Sequence, residues 1–262
     1  MSDVDDIVLD VDGGAMLEEC IASIRAQSVP ARVLVFDNGS RTPVRLDDVE
    51  VHRSETNLGF AGGANAAYRL TRAPYVALVN NDVVLDREWL AYVRDALDRD
   101  EKLAAVQTII RRPDGRIDGA GIDISDGTYR QIGHGYAVGL PLAVAWGVSA
   151  TATLYRRAAL GERIFDERFF AYYEDVELCA RLRAAGWRTA VLPVIEATHR
   201  GSHSAPVLGG DALRLRTRNR YYVARLHPGV GSMPALLWED ARLALRRRTS
   251  LRGIYEGLWS PL

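Results

Sequence analysis

The segment Phe169-Phe170-Ala171-Tyr172-Tyr173-Glu174-Asp175-Val176-Glu177 sets three carboxylates within four residues, behind four aromatic side chains. A general base needs a carboxylate within reach of a hydroxyl proton. Aromatic rings can stack on sugar faces. Acids favoured by a helix N-terminal dipole would account for Glu174 and Asp175, but not for the aromatic run before them.

Three other polar clusters follow apolar runs. Asp37-Asn38-Gly39-Ser40 offers a carboxylate that can accept a nucleobase imide N–H. Taken alone it is better read as a turn, since Asn-Gly and Ser are common turn residues. Asn80-Asn81-Asp82 supplies hard oxygen ligands suited to Mg²⁺ or Mn²⁺, although a polar strand end would look the same. His199-Arg200-Gly201-Ser202-His203-Ser204 places two histidines in a Gly/Ser loop. A lone histidine is more often structural, but a pair raises the case for metal or phosphate contact. Between these lies Asn57-Leu58-Gly59-Phe60-Ala61-Gly62-Gly63-Ala64-Asn65, where glycines permit close approach of a ligand to a helix start. Tight helix packing explains it equally well. It lacks the P-loop Lys and is not GxGxxG.

The elements that must position these residues are strands and helices in alternation. Strands are expected at residues 7–9, 32–36, 49–52, 75–79 and 188–192. Helices are expected at residues 17–27, 61–70, 88–97 and 169–186, with a helical, arginine-rich stretch from Asp211 onward. Residues 111–136, rich in Gly and Asp, suggest a hairpin inserted in the sheet. This alternation predicts a mainly parallel sheet with helices on both faces. Ligands collect at the carboxyl ends of such strands, where both 37–40 and 80–82 fall.

The chain has 262 residues, 48% hydrophobic and 26% charged, enough for one large core. A formal net charge of -1 gives no case for nucleic acid. Cys20 and Cys179, far apart, are expected as reduced thiols of a cytoplasmic protein. The acidic start MSDVDD has no signal-peptide character, and residues 133–155 are too polar for a bilayer span.

In their order these segments resemble family 2 glycosyltransferases of the GT-A fold, nearest to bacterial rhamnosyltransferase-like and galactofuranosyltransferase-like members. The resemblance runs through Asp37-Asn38-Gly39-Ser40, residues 57–65, Leu78-Val79-Asn80-Asn81-Asp82, and Phe165-Asp166-Glu167-Arg168-Phe169-Phe170 with Glu174-Asp175. It continues through Gly186-Trp187, residues 199–204, Arg218-Asn219-Arg220-Tyr221-Tyr222 and the tail at residues 251–258. It implies a GT-A catalytic domain over residues 1–210, its nucleotide-binding half near 1–110 and its acceptor half near 111–210. A C-terminal helical extension, 211–262, would pack on it.

The resemblance also implies roles. Asp175 would be the general base of an inverting transfer. Asp37, Asn38, Gly59, Gly63, Asn65 and Asn80 would form the nucleotide site, with Asp37 on the base. Asp82 and His199 would hold Mg²⁺ or Mn²⁺. Glu174, Trp146, Arg200 and Ser202 would contact donor or acceptor, the last two at the diphosphate. The donor is expected to be a dTDP- or UDP-sugar. The acceptor is expected to be a hydroxyl of a glycan, a lipid-linked glycan or a small molecule. Three segments depart from the family pattern: Asp10-Val11-Asp12-Gly13-Gly14 after the first strand, Asn80 for the first acid of the DxD motif, and Ala150-Thr151 where relatives often carry Gly-Ala.

The tail interleaves Arg242, Arg246, Arg247, Arg248 and Arg252 with Leu243, Leu245, Leu251, Ile254, Leu258 and Trp259. Such a helix either lies on an anionic membrane or packs its apolar side on the core. Peripheral association with the inner membrane face is the functional expectation, and a homodimer is compatible with the sequence. Two rival readings stand beside the main one. A sugar-nucleotide-forming nucleotidyltransferase would need a Gly-rich basic loop after the first strand, of which Gly13-Gly14 is a poor remnant. An inactive nucleotide-sugar-binding protein is disfavoured by the retention of Asp82, Asp175 and His199.

Overall fold

The computed structural model describes residues 2–139, 144–201, 211–246 and 248–262. Short aliphatic runs form the sheet: β1 (Val4–Asp10), β2 (Arg32–Asn38), β3 (Glu50–Ser54), β4 (Tyr75–Asn80), β5 (Val83–Leu85), β6 (Leu103–Arg111), β7 (Ile117–Gly119), β10 (Ala152–Arg156) and β11 (Arg188–His199). A separate two-stranded sheet pairs β8 (Ile122–Asp123) with β9 (Arg130–Gln131). The main sheet has nine strands, in the order β3-β2-β1-β4-β10-β6-β11-β5, with β7 on β6. Strands β3, β2, β1 and β4 are mutually parallel; β10 runs antiparallel to both β4 and β6, and β11 is parallel to β6. The sheet is therefore mixed, with its parallel half at the N-terminal side.

Helices cover both faces. Helix α1 (Ala15–Arg25) buries Leu17, Ile21 and Ile24, one helical stripe. With α3 (Trp89–Arg99) it packs Trp89 and Leu90 against Val8, Val35 and Val79. On the other face α2 (Gly59–Tyr68) and α5 (Glu174–Ala184) set Ala61, Ala64, Leu178 and Leu182 on Ile7, Leu34 and Leu78. A short α4 (Arg157–Leu160) follows β10. Helices α6 (Asp211–Leu226), α7 (Met233–Ala244) and α8 (Leu251–Trp259) complete the chain. The boundary expected near residue 210 lies outside the described residues, as does Ser202.

Two differences from the sequence reading bear on the site. The strand expected at 188–192 continues to His199, because Pro193 does not end it. The register against β6 slips between Leu192 and Ile195 instead, as a proline in a ladder requires a bulge. The helix expected from 169 begins at Glu174. Phe170, Tyr172 and Tyr173 before it adopt positive φ of 63°, 72° and 68°. Three bulky residues in the left-handed region store strain, and such strain clusters at functional sites.

Candidate active site

The slipped β11 brings two distant motifs together. Its end pairs antiparallel with β5, His199 opposite Val83, and Arg200 N–H donates to the Asp82 carbonyl at 2.9 Å. Asp82 Oδ1 consequently lies 3.2 Å from His199 Nε2. The other ring nitrogen, Nδ1, lies 2.8 Å from Oδ2 of Asp118, on the strand before the small hairpin. Burial acts to lower the His199 pKa, but the hydrogen bonds to Asp118 and Asp82 outweigh it and push it up to about 9.

Asp118 and His199 line a cleft of about 600 Å³. Asn80 lines it too, with Oδ1 buried and without a hydrogen-bond partner. On another wall stand Tyr172, Tyr173, Glu174 and Asp175, with Ala150 and Thr151 beside them. Asp175 Oδ1 accepts from the Val176 N–H at 2.8 Å, and Oδ2 from the Ala150 N–H at 3.4 Å. Burial raises the pKa of Asp175. Burial, then the adjacent Asp175 charge, raises that of Glu174, whose Oε2 has no partner. The strained aromatic loop is clamped from behind. Asn219 Nδ2 on α6, fully buried, donates to the carbonyls of Phe169, Ala171 and Tyr172 at 2.9, 2.8 and 2.7 Å.

The sequence matches the family described as glycosyl transferase family 2 over residues 12–164, more than half of the chain. The chain belongs to glycosyl transferase family 2. It is 28% identical to the N-acetylglucosaminyl-diphospho-decaprenol L-rhamnosyltransferase of Mycobacterium tuberculosis, across 91% of this chain and 90% of that protein. It is 26% identical to the pre-mycofactocin glycosyltransferase of the same organism, across 90% of this chain and 52% of that one. Among solved structures, S. aureus TarS 1-349 in complex with UDP-GlcNAc superposes with a TM-score of 0.62 at 18% identity, over 86% of this chain and 65% of that one. A longer TarS chain is matched over 39% of its length. The Pyrobaculum calidifontis mannosyltransferase PcManGT, in complex with GDP-Man and Mn²⁺, gives 0.59 at 17% identity, over 99% and 88%. The fold is GT-A, and the protein is a glycosyltransferase; the nucleotidyltransferase alternative falls away.

Within this glycosyltransferase the expected site residues divide. His199, Asn80, Glu174 and Asp175 line the cleft, and Asp82 adjoins it through its contact with His199. Asp37 is not among the residues that line the cleft. It is fully buried at the end of β2, accepting from Ser40 N–H at 2.8 Å, Val44 N–H at 3.1 Å and the Arg53 guanidinium. Burial opposes ionisation, but these donors hold its pKa below the usual carboxylate range. Asp10, at the end of β1, accepts from Asn81 Nδ2 at 2.6 Å and from Gly13 N–H at 3.3 Å, tying the ends of β1 and β4 together.

Other expected ligands have different tasks. Asn65 is spent on the interior. Its Oδ1 accepts from Ile164 and Phe165 N–H, both at 3.0 Å, and its Nδ2 donates to the Phe165 carbonyl and Glu167, so it clamps α2 to residues 164–167. Gly63 is a packing glycine, since a Cβ there would stand 2.6 Å from Leu9 Cδ1. Gly59, at φ 75°, lets Phe170 approach; a Cβ would meet its carbonyl oxygen at 2.5 Å. Asn38 braces the same loop, accepting from Leu58 N–H and donating to the Gly59 carbonyl, each at 3.0 Å. Trp146 is not on the cleft. The Arg183 guanidinium covers its ring at 5.2 Å, and the ring packs between two core clusters. Arg200 is paired with Glu19 of α1.

The cleft also holds residues not singled out by sequence: Asp118, Tyr129, Arg130, His134 and Arg216. Arg216 on α6 lies over the Tyr172 ring at 4.3 Å. Asp118 sits in the Gly/Asp-rich stretch, where one acid among several carries no distinguishing pattern. Arg216 is one arginine among many on its helix.

Proposed function

We propose that this glycosyltransferase moves a sugar from a dTDP- or UDP-linked donor to a hydroxyl acceptor with inversion at the anomeric carbon. The observation that carries the reading is the placement of Asp175, on one wall of the cleft that also contains Asn80 and His199. Asp175 takes the acceptor proton as the hydroxyl attacks. Its burial favours a basicity nearer neutral pH than a free aspartate has, which suits a general base. The backbone N–H groups of Val176 and Ala150 aim its carboxylate.

The residues present fit a divalent cation of the Mg²⁺ or Mn²⁺ type. Asp82 offers a hard oxygen and Asn80 an unpartnered buried amide oxygen. His199 offers Nε2 once the cation displaces the proton there, with Asp118 holding its Nδ1. Among the described residues no third His, Cys, Asp or Glu joins Asp82 and His199 as a ready ligand, so donor phosphate and water would supply the rest. When bound, the cation neutralises charge on the departing nucleoside diphosphate. Asp37 is assigned the nucleobase, which requires Arg53 to swing off its carboxylate. Arg200 would have to leave Glu19 to reach a phosphate.

The acceptor we favour is a polyprenyl-diphosphate-linked sugar. The support is the named acceptor of the M. tuberculosis rhamnosyltransferase, which matches this chain across nearly its whole length. The test offers dTDP-rhamnose, UDP-galactofuranose and UDP-hexosamine with Mn²⁺ and a short polyprenyl-diphosphate-sugar acceptor, reading the product anomer by NMR. A product inverted relative to the donor supports the reading; a retained configuration overturns it.

A further inference from the structure

The C-terminal helices turn an apolar stripe outward. In α8, Gly253 and Gly257 are pressed on α6, where a Cβ would stand 2.6 Å from the Arg214 carbonyl oxygen and 2.8 Å from that of Arg218. The opposite side of the helix carries Leu251, Tyr255 and Trp259, spaced four apart and 77, 67 and 72% exposed. Ile254 and Leu258 pack on the core beside these glycines, so the helix carries a second apolar stripe, Leu251-Tyr255-Trp259, that the core does not cover. Helix α7 buries Leu236 and leaves Leu237 and Trp238 exposed, followed by Leu245 just past its end at 88% exposed. A stripe of three large exposed apolar side chains on one helix face is more than the single exposed residues usual on a protein surface.

Charge indicates what covers them. Among the described residues from 233 onward, every exposed charged side chain is an arginine: Arg242, Arg246, Arg248 and Arg252. The acids are turned inward. Asp240 is buried and accepts from Arg220 and Tyr221; Glu239 pairs with Arg220, and Glu256 with Arg214 and Arg252. Asp211 of α6 is an exposed acid near Arg252, so the excess of arginine is greatest at Arg242, Arg246 and Arg248, where a second copy would bring arginine against arginine.

We propose that this surface docks on an anionic lipid bilayer. Trp238, Trp259, Tyr255 and the leucines enter the headgroup boundary, and Arg242, Arg246 and Arg248 pair with lipid phosphates. Among the described residues no helix is long and apolar enough to cross a membrane, so contact through this face would be interfacial. The inference does not depend on Asp175 or on the metal, and it would hold for any lipid-borne acceptor.

The test is flotation of the whole protein with vesicles of phosphatidylcholine, with and without phosphatidylglycerol. Binding is expected only with the anionic lipid and is expected to weaken with salt. Trp238→Ser/Trp259→Ser and, separately, Arg242→Glu/Arg246→Glu should each weaken it roughly tenfold or more. Both pairs are exposed, so an unchanged melting temperature checks that the fold is kept. Absence of flotation overturns the proposal, as does undiminished flotation of both variants. So does a solution dimer of the unaltered protein that the tryptophan variant dissociates, because a second copy would then be the occupant.

Discussion

His199 Nδ1 lies 2.8 Å from Oδ2 of Asp118, which leaves Nε2 directed at Asp82. A carboxylate behind a ligating histidine fixes the tautomer and the ring plane. Asp118→Asn should therefore weaken Mn²⁺ binding in the presence of nucleoside diphosphate by roughly tenfold to a hundredfold, read by the loss of free-ion EPR signal. His199→Ala should weaken it further. Unchanged Mn²⁺ affinity in Asp118→Asn would remove Asp118 from this positioning role.

Asn65 separates an architectural reading from a nucleotide-binding one. Replacing it with alanine leaves the N–H groups of Ile164 and Phe165 buried and unpaired. The expected loss is about 2–4 kcal/mol of stability, measured by urea unfolding. Nucleotide affinity, measured well below the melting temperature, should stay within about twofold, since no measurable contact energy is removed. A large affinity loss without destabilisation would return Asn65 to the donor site.

These two residues illustrate what was legible in the sequence. Apolar runs ending in polar clusters mark β1, β2 and β4, and the segments at 80–82, 174–175 and 199 meet at one cleft. The Asn65 side chain pairs with residues about a hundred positions away, a relation no local pattern encodes. Pro193 masks the second half of β11, because a proline normally ends a strand and here only shifts its register. Strands β6 and β10 carry alanines and lie in the mixed half of the sheet, and a short apolar run does not distinguish strand from helix. Asp118 became visible only when β7 paired with β6 beside β11.

Asp6 is a buried cost rather than a site. It lies in the middle of β1, fully buried, both carboxylate oxygens without partners. Burial, then the neighbouring Asp5 charge, raises its pKa from 3.8 to about 7. An acid with a raised folded-state pKa is fully accommodated below pH 3.8, and its stability contribution is lost as pH rises toward and through 7. Asp6→Asn should therefore gain on the unaltered protein across that window, by on the order of 2–4 kcal/mol at pH 8. Parallel stability-against-pH curves for the two proteins would contradict this.

The pH profile of transfer reports on the acid pair. Burial raises the pKa of Asp175, and burial with the Asp175 charge raises that of Glu174. The base form is needed, so kcat should climb with pH on an acidic limb displaced above the ordinary aspartate range. A limb at the pKa of a free aspartate would show that the base is solvated during turnover.

The central claim, that Asp175 removes the acceptor proton, is tested most directly by single-turnover transfer in Asp175→Asn, with donor affinity measured by calorimetry on the same protein. The account predicts a transfer rate lower by about a thousandfold or more, with donor affinity within about threefold of the unaltered enzyme. Transfer at an undiminished rate would contradict it.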